Sequence, residues 1–341
     1  MKLPALLRPA VVLIGLLPAW CAAASIGIVT IVDGDLAVLR DTQRFAGAEG
    51  VRLRSDDILR TGADARLARV ELADGTTLDL GPDTELMLQP RTGGAFGERA
   101  ATLYLARGWL KIGAASEPGV AGVASAALDL QRLSGTAVLR AMPGATLLFV
   151  ESGSAQVAEV QDGRAAHAQS LRDGDAFVKR ANEAAAAARR PPADLLQGLP
   201  RGFADSLPRR VARFQANPVE PGAATPVAYA EVSRWLNGEA PLRAMAVPRF
   251  TPRISDRGFR APLVAELRAH PEWDRVLFPE KYRPKPVVVA AKRPAPAASA
   301  NAAATAASAP ERAPVTASLQ GLMSWPSAAR DFTPNPPLEA R

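Results

Sequence analysis

Between Gly27 and Leu88 apolar and polar residues alternate in short runs, and each run stops at an Asp-Gly or another glycine-containing turn. Val29, Ile31, Leu36, Val38, Val51, Leu53, Ile58, Leu67, Val70, Leu72, Leu78, Leu80, Leu86 and Leu88 point to one interior. Asp33-Gly34 and Asp74-Gly75 read as hairpin pairs, because glycine tolerates the positive φ of a tight two-residue turn. Strand-like runs resume at 101–105 and 109–112 around Arg107-Gly108. They continue at 136–140, 145–150, 155–160, 166–171 and 176–179, parted by Pro143-Gly144, Ser152-Gly153, Asp162-Gly163 and Asp173-Gly174. Short strands at this spacing predict a mainly β domain over residues 25–180, built as a sandwich, a barrel or a twisted solenoid. No fixed repeat length emerges, which disfavours identical rungs.

The pattern changes after residue 180. Residues 181–194 read as a linker or short helix, with the helix-forming run Ala184–Ala188 stopped by Arg189-Arg190-Pro191-Pro192. Residues 195–286 are rich in Pro and Arg yet keep apolar anchors. Val227–Leu236 predicts a helix with Val232, Trp235 and Leu236 on one side, and Pro262–Ala269 another with Leu263, Val264 and Leu267. Phe203, Leu207, Val211 and Phe214 mark a further short element, and Trp273, Val276, Leu277, Phe278 and Tyr282 an aromatic–aliphatic knot. The expectation is a small helical segment, packed on the β domain or presented to a partner. The Ala/Pro-rich stretch 287–341 predicts a disordered tail, with Leu319–Trp325 as a candidate docking motif.

Several of these runs carry a resemblance. Gly27–Arg40, Asp56–Leu86 and, more loosely, Leu105–Ile112 and Val150–Val157 resemble the FecR domain family, the sensor part of a bacterial iron-citrate signal transducer. Asp74-Gly75-Thr76 followed by Leu80-Gly81-Pro82-Asp83-Thr84-Glu85-Leu86 is the most specific part. The likeness covers about residues 26–180. It implies an all-β periplasmic unit that contacts an envelope partner and relays a signal. The family's iron-signalling members carry a cytoplasmic anti-sigma segment and a membrane span. Here eight residues precede the first apolar run, so this chain is expected to act without an anti-sigma segment.

Residues 1–24 fit a signal peptide. Lys2 and Arg8 precede the apolar stretch 9–20, and Ala22-Ala23-Ala24 supplies a cleavage site before Ser25. The expected location is the periplasm, with no membrane span after cleavage. Cys21 is the only cysteine, and the bulky Trp20 before it fits a lipoprotein signal poorly. The mature chain is then without disulfide, thiolate nucleophile or Cys-ligated metal. The formal charge of +7 raises nucleic acid or an anionic envelope component as partners. Export argues against nucleic acid.

Candidate chemistry is sparse. His167 and His270 are the only histidines and read as surface or capping residues. No spacing supports a metal site, and no cofactor motif occurs. Asp56-Asp57, Asp33 with Asp35, and Asp173 with Asp175 flank turns, where Asp bonds to nearby backbone N–H groups. Asp79 and Glu85 alternate with apolar neighbours and read as solvated strand positions, while Trp109 is expected to pack within the β domain. Arg201, Arg209, Arg210, Arg213, Arg243, Arg249, Arg253, Arg257 and Arg260 make the helical segment basic. Trp235, Trp273, Phe278 and Tyr282 are the candidate partner-binding residues, against the alternative that they form that segment's core. The expected function is a non-catalytic protein-binding or signalling module of the cell envelope. The alternative is a structural protein binding peptidoglycan or another glycan through its C-terminal aromatic and basic segment. A glycan-cleaving enzyme using turn carboxylates would need a convergent acid–base set.

Overall fold

The computed structural model describes residues 25–90, 102–115, 122–161, 163–217 and 219–283. Residues 1–24, expected to be a signal peptide, the Gly-rich residues 91–99, and residues 287–341, expected to be a tail with Leu319–Trp325 as a docking motif, lie outside the described residues. The strands are β1 (Gly27–Asp33), β2 (Leu36–Arg40), β3 (Gln43–Ala46), β4 (Arg52–Leu53), β5 (Ile58–Thr61), β6 (Leu67–Leu72), β7 (Thr77–Leu80), β8 (Glu85–Leu88) and β9 (Leu103–Gly113). They continue with β10 (Val123–Ala124), β11 (Leu128–Met142), β12 (Ala145–Gln161), β13 (Arg164–Ala165), β14 (Gln169–Arg172), β15 (Ala176–Arg180), β16 (Ala186–Ala188) and β17 (Thr225–Pro226). The fold is mainly β, as the alternation predicts.

The pairings define two layers. One runs β4, β1, β6, β7, the second half of β9, the second half of β11, the first half of β12, β15 and β16. The other runs β17, β3, β2, β5, β8, the first half of β9, β10, the first half of β11, the second half of β12 and β14. Both layers bury Val29, Val38, Leu59, Val70, Leu78, Leu86, Leu105, Leu110, Leu139, Leu148 and Phe177 in one interior. Sheet faces packed in this way define a sandwich.

The chain changes layer at glycines. β1 and β2 do not pair with each other, so Asp33-Gly34 is a corner between layers and not the hairpin expected from its sequence. Asp74-Gly75 does close a hairpin, joining β6 to β7. Arg107-Gly108 and Ser152-Gly153 were expected to be turns between strands. Both lie inside single long strands, at the points where β9 and β12 leave one layer for the other. Gly135 in β11 faces Gly153 in β12 at one such corner, with φ of +91° and +84°. A Cβ on Gly153 would lie 2.0 Å from the Ser134 carbonyl oxygen, so no other residue fits.

The Gly81-Pro82-Asp83-Thr84 motif clasps another corner. The buried Thr61 hydroxyl donates to the Gly81 carbonyl (2.6 Å) and accepts from the Thr84 N–H (2.9 Å). The Thr84 hydroxyl donates to Gly81 O and accepts from the Trp109 N–H, both at 2.9 Å. The end of β5, the β7–β8 connection and the bend in β9 are thereby tied through two threonines.

The described residues of 193–283 wrap around this sandwich instead of standing apart from it, and cluster with it as one unit. The helices are α1 (Ala193–Gln197), α2 (Val211–Gln215), α3 (Tyr229–Leu236), α4 (Ala240–Phe250), α5 (Arg257–Ala265) and α6 (Asp274–Leu277). Leu195, Phe203 and Leu207 cover Leu67, Trp109, Val138 and Leu147 on the outer face of the first layer. β17 pairs with β3 and Val219 bridges Val51, carrying the chain around one border. Helices α3 to α6 then cover Leu39, Ile58, Met87 and Tyr104 on the outer face of the second layer.

Two local expectations are corrected. Ala186–Ala188 is an edge strand on β15, because ladder hydrogen bonds outweigh alanine's helix preference. The second predicted helix begins earlier, at Arg257, where Asp256 accepts from the Gly258 and Phe259 N–H groups. This turns Phe259 and Leu263 inward and leaves Val264 exposed.

Candidate functional site

The four aromatic candidates do not share a surface. Trp235 and Trp273 are 1% and 0% exposed and sit in the interior between α3–α6 and the second layer. Tyr104 meets Trp235 edge-on, with ring centroids 5.9 Å apart. Phe278 packs partly against the same cluster, and only Tyr282 stands well out, its hydroxyl donating to Asp274. The partner-binding assignment is corrected for the two tryptophans: the outer face of the second layer is apolar and needs their rings as cover.

Three of the acidic turn candidates have structural partners. Asp57, 1% exposed, receives Arg40 through two bonds of 2.9 and 2.6 Å and also the Arg54 N–H. Asp33 pairs with Arg66, and Asp175 accepts the Arg172 N–H. Asp79 and Glu85, expected in solvent, are 3% and 8% exposed. Asp79 takes both arms of Arg69 (2.6 and 2.7 Å), whose remaining nitrogen donates to Leu207 O. Glu71 accepts the Arg210 and Val211 N–H groups at the start of α2. Arg69, held by Asp79, and Glu71 are therefore docking points for the wrap.

Glu85 lies between Arg60 and Arg234, at 3.6 and 3.5 Å. Burial pushes its carboxyl above the usual range, against the pull of the two guanidiniums. Arg107, opposite Glu85 on β9, is held below its ordinary value by burial and by the charges of Arg234 and Arg60.

His167 is exposed. His270, expected at the surface or as a cap, is instead fully buried. Its Nε2 faces the Leu263 carbonyl at 3.1 Å and its Nδ1 the Asn237 side chain at 2.6 Å. Tyr229 and Asn237 both donate to Glu266, so α3, α5 and the loop before α6 are joined by one polar chain. Burial and then Glu266 raise the Tyr229 hydroxyl well above its ordinary value. Among the described residues no three His, Cys, Asp or Glu side chains gather as a metal site.

Several basic residues of the wrap point inward, while Arg201, Arg209, Arg213 and Arg257 are exposed. Arg249 donates to the carbonyls of Leu39, Asp41 and Asp56. Arg253 reaches Val227 O, Arg260 reaches Leu277 O and Arg243 pairs with Glu272. Surface concavities include a groove of about 350 Å³ between Tyr104, Ala106 and the α3–α4 junction. Another, of about 330 Å³, runs along Ser170, Leu171, Arg172, Asp175, Ala187, Ala188 and Arg189. No sequence motif marks the second groove, which forms between the edge strands β14 and β16.

No protein-family model matches the chain, and no curated protein matches it in sequence. Two similar solved structures are each of a provisionally assigned anti-sigma factor from Parabacteroides distasonis. The first is 14% identical, with a TM-score of 0.32, covering 41% of this chain and 64% of the other. The second is 14% identical, with a TM-score of 0.30, covering 38% and 60%. The chain thus spans less than two thirds of either neighbour.

Proposed function

We propose that this chain is an exported, non-catalytic recognition module of the cell envelope, of the FecR-like kind, which works by binding another protein. The observation that carries the reading is the use made of its ionisable groups. Asp57, Asp79, Glu71 and Glu85 are each committed to arginines or backbone N–H groups that fasten the fold. Such carboxylates hold architecture, whereas hydrolysis needs a pair facing an open cleft. The resemblance over residues 26–180 and the signal-like residues 1–24 support an envelope role in signalling.

Binding of peptidoglycan or another glycan through Trp235 and Trp273 is disfavoured, because reaching those rings would require lifting α3–α6 from the sheet. The test is crosslinking of the full chain in living cells, followed by mass spectrometry of the trapped species. A discrete envelope protein is the expected result. Retention on insoluble wall material alone, or glycan cleavage by the purified chain, would overturn the reading.

A further inference from the structure

The two borders of the sandwich are finished differently. At one, the wrap supplies the closure: β17 adds to β3, Val219 bridges Val51, and Arg52 donates to Gln215 O. At the other, the layers end in β16 and β14, and among the described residues neither has a strand on its outer side. Ladder alternation fixes what β16 offers there. Val150 N–H bonds to Asp175 O, so Phe177 faces β12 while Ala176 and Val178 face β16. Their partners Ala188 and Ala186 are thereby used, and Ala187 directs its N–H and C=O outward.

β16 is a short edge of three alanines, two of them exposed, with no charge, proline or bulge inside the strand itself. The groove of about 330 Å³ runs alongside, floored by Leu171 and Asp175 and flanked by Arg172 and Arg189. Arg189 is 87% exposed, and Asp175 meets it only at 3.5 Å.

We propose that this open border is a strand-addition site for an extended, acidic peptide segment of another protein, pairing with Ala187 and placing carboxylates against Arg172 and Arg189. The proposal rests on the recognition reading above and names the chemistry of its partner. Main-chain bonds supply affinity and flanking side chains the selectivity in this mode of binding. A second copy of this chain is the poorer occupant, since it would bring another Arg172, Arg189 and Arg190 to the same seam.

The test uses the full chain and two short capped peptides, one alternating valine with glutamate, the other valine with lysine, followed by fluorescence anisotropy. The glutamate peptide is expected to bind, and to weaken about tenfold on Ala187→Pro, Arg189→Glu or a move to high salt. Thermal unfolding by circular dichroism establishes that each variant is folded. Arg189→Glu keeps the test valid if Ala187→Pro is not. Equal binding of both peptides, no binding of either, unchanged binding to both variants, or self-association through this edge would overturn the proposal. Undiminished crosslinking of a protein partner by Arg189→Glu would refute this site and leave the recognition reading standing.

Discussion

Arg69 and Asp79 face each other across β6 and β7, joined by two bonds of 2.6 and 2.7 Å beneath residues 201–211 of the wrap. Both are almost fully buried, at 6% and 3% exposure. Asp79→Ala would leave a guanidinium in the interior without its counter-charge. Breaking one side of such a pair typically costs about 3–5 kcal/mol. Urea unfolding should show a loss of that size, while Arg69→Met with Asp79→Leu should recover most of it.

The same pair shows what could be read in advance. The alternation from Gly27 to Leu88 gave the strands correctly, because one face of every strand meets a single interior. It also assigned Asp79 to water, because period-two patterning cannot tell a solvated face from one covered by a later segment. A clue to the cover was present. Val38-Leu39, Ile58-Leu59, Leu86-Met87-Leu88 and Leu103-Tyr104-Leu105 break alternation with consecutive apolar residues, as strands buried on both faces do. The layer-crossing corners were not legible, since a positive-φ glycine serves a hairpin and a bend within a strand equally well. Nor was the burial of His270 legible, for it depends on the meeting of α3 with α5.

Gly153 and Gly163 both have positive φ, +84° and +75°. A Cβ at Gly163 meets nothing within 4 Å, whereas at Gly153 it strikes Ser134 O. Gly163→Ala should cost only the conformational part, about 1 kcal/mol. Gly153→Ala should cost several times that, because the β11 and β12 backbones must also separate. Comparing the two melting temperatures checks the corner geometry, and equal losses would count against it.

Glu85 gives a pH dependence of definite sign. Its folded pKa lies above its unfolded value, because burial outweighs the attraction of Arg60 and Arg234. The folded state thus binds this proton more tightly. The associated stability is fully present below the unfolded pKa, about 4.3, and is lost as pH rises through the higher folded value. Glu85→Gln removes the titration. Its stability relative to the natural chain should therefore climb from about pH 4 to pH 8. Denaturant midpoints at three pH values measure this. A relative fall would mean that the two arginines outweigh burial.

The last expectation concerns where the folding unit ends. The sequence bounds the β domain at residues 25–180, whose outer faces present Leu39, Ile58, Met87 and Tyr104 on one side and Leu67, Trp109 and Leu147 on the other. In the full fold these are covered by Trp235, Phe250, Phe259, Leu263 and Trp273 and by Leu195 and Phe203. Apolar surface on both faces of a small sandwich favours association over solubility. Residues 25–190 expressed alone should aggregate or bind a hydrophobic dye, while residues 25–283 remain monomeric. Within the longer chain, Trp273→Ala should cost about 3–5 kcal/mol, the usual penalty for emptying a large buried site. A shorter fragment that is monomeric, dye-silent and cooperative in unfolding would show that the wrap is an ornament. In that case the burial of Asp79, Glu85 and the two tryptophans would lose its energetic meaning.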